Sequence, residues 1–318
     1  RLQRALMLND LYLESGSRYW NWRGAYEKLL VYRRALTVAE ARLEAVIQSV
    51  RFGQRAAVDT LEASILVQAR RGQVQESLLH YEVYRAKLEV YLWGEGTEQL
   101  QLNDRVTPSM QMPVEATSPD SAFTRMIPAL ADYHPALLLY DNELASLEFE
   151  RRWSKEQLKP TVDVQFRPLS SPQTSDPMAA FNLRNYTWAT QVSFPVFLRK
   201  ERGALKLSNL NIQEMQVDKE AKKAELQGMA KIALNQWLVS YNQTALFRDL
   251  VKSRRALFIA ETEKFMGGES SLFMVNRREM SYIQSQIKQV DALISNRIAQ
   301  LIAKHAFVKH PFVQTFSQ

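Results

Sequence analysis

Phe265-Met-Gly-Gly-Glu-Ser-Ser-Leu-Phe273 is the one break in a helical stretch that runs from about Phe197 to Lys304. More than sixty residues lead into it without a proline. At about 1.5 Å per residue such a helix is about 100 Å long, more than a compact core can contain. Gly267 and Gly268 offer the left-handed backbone that a helix needs where it stops and reverses. The return arm carries Ile283, Ile287, Val290, Ile294 and Leu301, at spacings of four, three, four and seven. That is a coiled-coil seam, and the whole stretch reads as a long helical hairpin.

The same plan appears earlier in the chain. An offset of 215 positions places Trp22 on Trp237, Tyr26 on Tyr241, Arg33 on Arg248, Ala41 on Ala256, Ala45 on Ala260 and Gly53 on Gly268. The identities are few, but the aromatic pair keeps its spacing and the glycine falls at the turn both times. The pattern reads as an internal duplication of the hairpin.

In the earlier copy Trp22, Tyr26, Leu29, Leu36, Ala39, Leu43, Val46 and Val50 form a seam, with Arg33 at its skipped position. An arginine there is a register device or channel-facing residue, or it snorkels to the surface. After Gly53 the second arm offers Leu61, Ile65, Val74, Leu78, Tyr81, Leu88 and Leu92, and ends at Trp93-Gly94-Glu95-Gly96. Pro108, Pro113 and Pro119 then exclude a continuous helix, leaving a linker or a belt packed on the helices. Pro135 opens a new helix, where its missing N–H costs nothing. Leu137, Leu144, Leu147 and Leu158 lie on one heptad seam of it, and Pro160 ends it.

Two short segments follow with a period of two. Val162, Val164 and Phe166 alternate with Thr161, Asp163, Gln165 and Arg167; Tyr186, Trp188, Val192 and Phe194 alternate with Thr187, Ala189, Gln191 and Ser193. Each segment has one apolar and one polar face. Their length suits a tilted strand crossing a bilayer, with aromatics placed as an interfacial girdle. Pro168 is expected to shorten the first strand at its loop end. Pro160 and Pro195 mark the junctions with the long helices, and two such strands must close a barrel with others.

Composition removes several function classes. The 318 residues contain no cysteine, so there is no disulfide framework and no cysteine-ligated metal. The net charge of +7 is spread among interleaved acidic and basic residues, which describes a solvated helical surface and not a nucleic-acid stripe. No apolar run is long enough for a transmembrane helix. His80, His134, His305 and His310 are scattered, without the spacing of a metal pair. Ser270-Ser271 lacks a nucleophile-elbow context and reads as a helix N-cap. No phosphate-cradling Gly-rich Lys-Ser/Thr loop is present. Neither a cofactor nor an enzymatic activity is expected.

Taken in order, several motifs resemble the TolC-type outer-membrane efflux proteins over nearly the whole chain. They are His134-Pro135 opening a helix, Leu158-Lys-Pro160 leading into a strand, Val192-Ser-Phe-Pro-Val-Phe-Leu-Arg-Lys-Glu-Arg-Gly203 leaving the second, and the tips Gly53-Gln-Arg-Ala-Ala-Val-Asp59 and Phe265 to Phe273. The resemblance implies a mainly α fold with membrane β: duplicated coiled-coil hairpins joined to strands of a trimeric transmembrane β-barrel. It divides the chain into a first periplasmic hairpin at 1–93, an equatorial linker at 94–130, a helix into the barrel at 131–159, an outer-membrane β-hairpin at 160–196, a second periplasmic hairpin at 197–304 and a tail at 305–318. Asp163, Gln165, Arg167 and Gln191 would face the barrel lumen; Val162, Val164, Phe166, Tyr186, Trp188, Val192 and Phe194 would face lipid.

The resemblance further implies a homotrimer in the outer membrane of a Gram-negative bacterium, reaching into the periplasm. It would act as the passive exit duct of a tripartite efflux or type I secretion system, docked on a periplasmic adaptor and driven by an inner-membrane pump. A complete member of the family has a helix and a strand pair ahead of the match to Arg1, so the sequence is expected to be a fragment. Family members often place acidic residues where Met274 and Arg277 stand here, whereas Asp59 and Glu62 remain in the first half. These four are the candidate tip charges and gating positions. The alternative is a soluble coiled-coil scaffold or adaptor that binds proteins and contains no barrel.

Overall fold

The computed structural model describes residues 1–94, 96–103, 106–109, 115–168, 186–193 and 198–309, apart from the side chains of Arg167, Pro168, Tyr186 and Thr187. The described elements are α1 (Leu2–Arg51), α2 (Ala57–Glu89), α3 (Ser121–Met126), α4 (Leu130–Tyr133), α5 (Pro135–Glu156), β1 (Thr161–Pro168), β2 (Tyr186–Ser193), α6 (Arg199–Met266) and α7 (Leu272–Ala306). They form two compact units, Arg1–Pro135 with Glu225–Gln318, and Ala136–Ala224.

In the first unit α1 is flanked by α2 and α7, and both run antiparallel to it. On the α2 side Trp22 stacks on Tyr81 with ring centroids 6.2 Å apart, and Arg71 Nη2 reaches Glu40 at 2.9 Å. On the α7 side Asn9 Nδ2 donates to the His305 carbonyl at 3.0 Å, Lys28 pairs with Asp291, and Arg42 pairs with Glu279. Serving two partners, α1 buries two stripes. Trp22, Leu29, Ala39 and Val46 belong to the expected seam, while Arg23, Gly24, Ala25, Val31 and Ala35 are buried beyond it. Gly24 makes the second contact close: a Cβ there would stand 2.8 Å from Ile294 Cγ1. The β-branched Ile294 has little rotamer freedom with which to yield.

The expected seams meet the structure unevenly. Ile283, Val290, Ile294 and Leu301 of α7 are buried as their spacing requires. Arg33, placed at a seam position by sequence, is exposed; Arg23 and Arg70 are the buried arginines of the first hairpin. Leu61 and Ile65 are exposed as well, at 61% and 57%. The covered seam of α2 keeps the expected Tyr81 and Leu88 and otherwise consists of Ala63, Val67, Arg70 and Ser77. Its helix ends at Glu89, before the expected Trp93-Gly94, and Trp93 bridges to Gln99.

Polar pairing fastens the belt after α2. Asn296, fully buried on α7, accepts from Thr117 N at 2.9 Å and donates to the Thr117 carbonyl at 3.0 Å. Trp237 Nε1 donates to Thr117 Oγ1 at 3.3 Å, closing that knot onto α6. An adjoining apolar cluster of Ile127, Leu130, Ala230, Trp237, Ala303 and Phe307 joins α4, α6 and α7.

Pro135, at the boundary, opens α5, and in the second unit α5 lies against the first part of α6 through Ser154–Ser208 at 3.3 Å and a Lys219–Asp141 ion pair. Strands β1 and β2 form an antiparallel pair in which Thr161 faces Ser193, Val162 faces Val192, Val164 faces Thr190 and Phe166 faces Trp188. Pro168 does not shorten β1, which includes it as its last residue. Phe194, Pro195 and the loop from Ser170 lie outside the described residues, as do the side chains of Arg167 and Tyr186. Among the described residues this is the one sheet, and no helix is long and apolar enough to cross a membrane.

Candidate functional site

Two places gather the residues that sequence singled out: the paired helix tips of the first unit and the strand pair of the second. At the first tip Gly53 has φ of 72°, Gly53 N donates to Val50 O at 2.9 Å and Gln54 N to Ser49 O at 2.9 Å. At the second Gly268 has φ of 81°, Gly268 N donates to Phe265 O at 3.2 Å and Glu269 N to Lys264 O at 2.9 Å. This is one cap motif made twice, at the offset of 215 residues read from sequence. Gly267 is not among the residues of positive φ, so the left-handed step belongs to Gly268 alone.

Beyond the cap the tips interlock. Leu272, at the start of α7, is buried with Val46 and Ala63 and packed by Leu43, Val50 and Phe265. The Arg55 guanidinium lies 4.0 Å from the Phe265 ring centroid and 3.7 Å from Asp59 on its own helix. Ser271 Oγ accepts from Met274 N, the helix cap expected of it. Ser270 Oγ donates to Glu261 Oε1 at 2.5 Å, and Arg278 Nε to Glu261 Oε2 at 3.4 Å. Those bonds, led by the one from Ser270, hold the Glu261 carboxyl below its ordinary pKa.

Of the four candidate tip positions, Glu62 reaches a side chain of another helix. Glu62 accepts from Asn276 Nδ2 at 3.2 Å, and Asn276 Oδ1 accepts from Arg42 Nη1 at 2.9 Å. Arg42 also makes a two-pronged pair with Glu279, at 2.7 and 3.2 Å. Asp59 stays with Arg55, Met274 is half-buried, and Arg277 is exposed with no ion-pair partner among the described residues. Sequence reasoning missed Arg42, Arg70, Asn276 and Glu279. For Arg70 a signal existed, since Ala63, Val67, Arg70, Val74, Ser77 and Tyr81 step by four, three, four, three and four.

The strand pair is two-faced and bare. Val162, Val164, Phe166, Trp188 and Val192 share one face and are 50% to 66% exposed. Phe166 and Trp188 touch across the strands, with ring centroids 4.8 Å apart. Thr161, Asp163, Gln165, Ala189, Gln191 and Ser193 share the other face, also exposed. Among the described residues no group of three or more His, Asp or Glu side chains is arranged to hold a metal ion. His305 instead contacts Asp10 at 2.7 Å.

No family model matches the chain, and no curated protein matches it. Solved structures do. A membrane protein from Pseudomonas aeruginosa superposes with a TM-score of 0.77 at 16% identity, over 95% of this chain and 68% of that one. The outer-membrane channel OprN gives 0.76 at 12%, over 97% and 68%. The Campylobacter jejuni outer membrane channel CmeC gives 0.72 at 14%, over 97% of this chain and 64% of that one. The chain thus spans about two thirds of the length of these proteins, and the likeness shows the fold, that of TolC-type outer-membrane channels.

Proposed function

We propose that this chain, having the fold of the outer-membrane channels, is one protomer of a trimeric exit duct in the outer membrane of a Gram-negative bacterium, with its helices reaching into the periplasm. The observation that carries this reading is the strand pair with one bare apolar face and one bare polar face. An isolated two-stranded sheet is at best marginally stable, and in lipid every strand edge must be paired. Strands from other copies would close the barrel. Asp163, Gln165 and Gln191 then face the lumen and Val162, Val164, Phe166, Trp188 and Val192 the lipid.

Helix surfaces support the same assembly. Val58, Leu61, Ile65 and Leu79 form an exposed apolar stripe on α2, and Ile232, Val239 and Leu246 another on α6. Both follow coiled-coil spacing, which suits seams between copies. The matched tip caps support descent of the two hairpins from one duplicated unit. The duct is passive, with directionality supplied by an inner-membrane pump through a periplasmic adaptor docked on the tips. Opening untwists the hairpins near Gly53 and Gly268, and Arg277, without an ion-pair partner among the described residues, pairs with a neighbouring copy in the closed state. Neutralising Arg277 or Asp59 is expected to raise open probability in single-channel recordings; unchanged gating in both variants would sink that gating assignment.

The test of the reading is the sedimentation mass of the full-length protein, extracted from membranes in mild detergent, together with its conductance in a planar bilayer. A trimer with discrete conductance is expected. A water-soluble monomer or dimer that conducts nothing would overturn the duct and leave a coiled-coil scaffold.

A further inference from the structure

The covered seam of α2 contains one charge, and it is only partly used. Arg70 is 2% exposed, and its Nη1 donates to Gln73 Oε1 at 2.8 Å on the same helix. Its Nε and Nη2 are buried without a hydrogen-bond partner among the described residues. That pair of nitrogens is the edge of a guanidinium that grips a carboxylate with two parallel bonds. Burial pushes the Arg70 pKa down, the Glu279 charge opposes that fall, and Arg42 adds to it. Glu279 is itself 3% exposed and wholly engaged by Arg42. Two guanidiniums therefore share the field of one buried carboxylate, and one of them holds it.

Register sets how far the second lies from taking hold. Because α2 and α7 each run antiparallel to α1, they run parallel to one another. The Asn276–Glu62 bond fixes their level. Arg70 is eight residues past Glu62, and Glu279 three past Asn276. The Arg70 backbone thus lies about 7.5 Å farther along than that of Glu279. Side chains on both parallel helices lean toward the N-terminal end, and the longer arginine reaches farther that way than the glutamate, which covers part of that distance. One helical turn, about 5.4 Å, covers the rest.

We propose that Glu279 is the shared carboxylate of a two-position latch, held by Arg42 in the register seen here and by the free edge of Arg70 when α2 moves about one turn toward its own N-terminus. The move would release Glu62 from Asn276 and bring Leu66 to its level. Packed helices shift between such discrete registers because side chains interdigitate and intermediate positions clash. Its meaning for gating rests on the duct reading, since the N-terminus of α2 is at the tip. The latch itself does not.

These 318 residues contain no cysteine, which makes a direct test available. In the full-length protein, an E62C/N276C pair reports the present register and an L66C/N276C pair the shifted one. R42Q is expected to move disulfide yield from the first pair to the second by about fivefold or more, the lower end of coupling between two states. Adding R70Q should abolish that shift. Should R42Q fail to fold, R70M decides: it keeps the E62C/N276C crosslink and should remove whatever L66C/N276C crosslink the otherwise unaltered protein forms. Crosslink ratios indifferent to Arg70 in both backgrounds would overturn the latch. Conductance recorded on the same preparations separates the two readings. Discrete channels without a register shift leave the duct and remove the latch, while a register shift without channels does the reverse.

Discussion

The two helix tips share a backbone and differ in what fastens them. Gly53 and Gly268 make the same cap, yet the residues that follow diverge position by position along the offset of 215. Ala56 starts α2 without a side-chain cap, whereas Ser271 caps α7. Exposed Ala57 occupies the place of Leu272, which is 3% exposed. The first tip leans on its neighbour through Arg55 and Phe265; the second inserts a leucine between Val46 and Ala63. A glycine thus decides where a hairpin turns, and the next five residues decide how firmly it is held.

Leu272 should show the largest difference. Leu272→Ala removes a buried side chain from a closed cluster and is expected to cost about 2 to 5 kcal/mol of local stability. Amide hydrogen exchange at the tips reads local opening directly. Exchange around residues 268–275 should accelerate strongly, and Ala57→Gly, at the matched place, should disturb far less. Equal effects would mean that the buried leucine is not what separates the tips.

The glycines test the opposite claim, that the caps are equivalent. Gly53→Ala and Gly268→Ala each force a Cβ into the left-handed region, at about 1 to 2 kcal/mol. Neither Cβ meets a neighbouring atom within 4 Å, so the backbone term acts alone and the two costs should agree. Gly267→Ala, which needs no positive φ, should cost little. A tip at which Gly267 mattered more than Gly268 would refute the cap assignment. Smaller still, Ser271→Ala should lose about 1 kcal/mol and Ala56→Ser gain up to as much, the worth of an N-cap. The two tips would then converge in exchange rate.

What could be read from sequence follows the same line. Stops, turns and faces are local, and glycine, proline and apolar spacing announce them: the hairpins, Pro135 and the two-faced strands were all legible. Which stripe is covered is a long-range matter. On α2 both Val58-Leu61-Ile65 and Ala63-Val67-Arg70 obey coiled-coil spacing, and only the fold shows that the second lies against α1 and α7. Arg33, open between a seam role and the surface when judged against one seam, lies exposed on a helix that serves two. Arg42 with Glu279, and Thr117 with Asn296, join residues 237 and 179 positions apart, and no local pattern connects them.

The weakest contrast lies in acid. Glu261 occupies the place of Val46 along the offset, so the second tip holds a carboxylate where the first holds an apolar residue. With the hydrogen bond from Ser270 and then that from Arg278, its folded-state pKa lies below the unfolded value. A depressed carboxyl pKa gives stability that is present above the unfolded pKa and lost as pH falls through the folded one. Exchange at 268–275, corrected for its intrinsic pH dependence, should therefore rise as pH drops below about 4, the ordinary range of a glutamate. Ser270→Ala removes the leading cause and should flatten that acid response while leaving neutral-pH exchange nearly as it was. An acid response of full size in Ser270→Ala would assign it to another group and leave the tips distinguished by packing and capping alone.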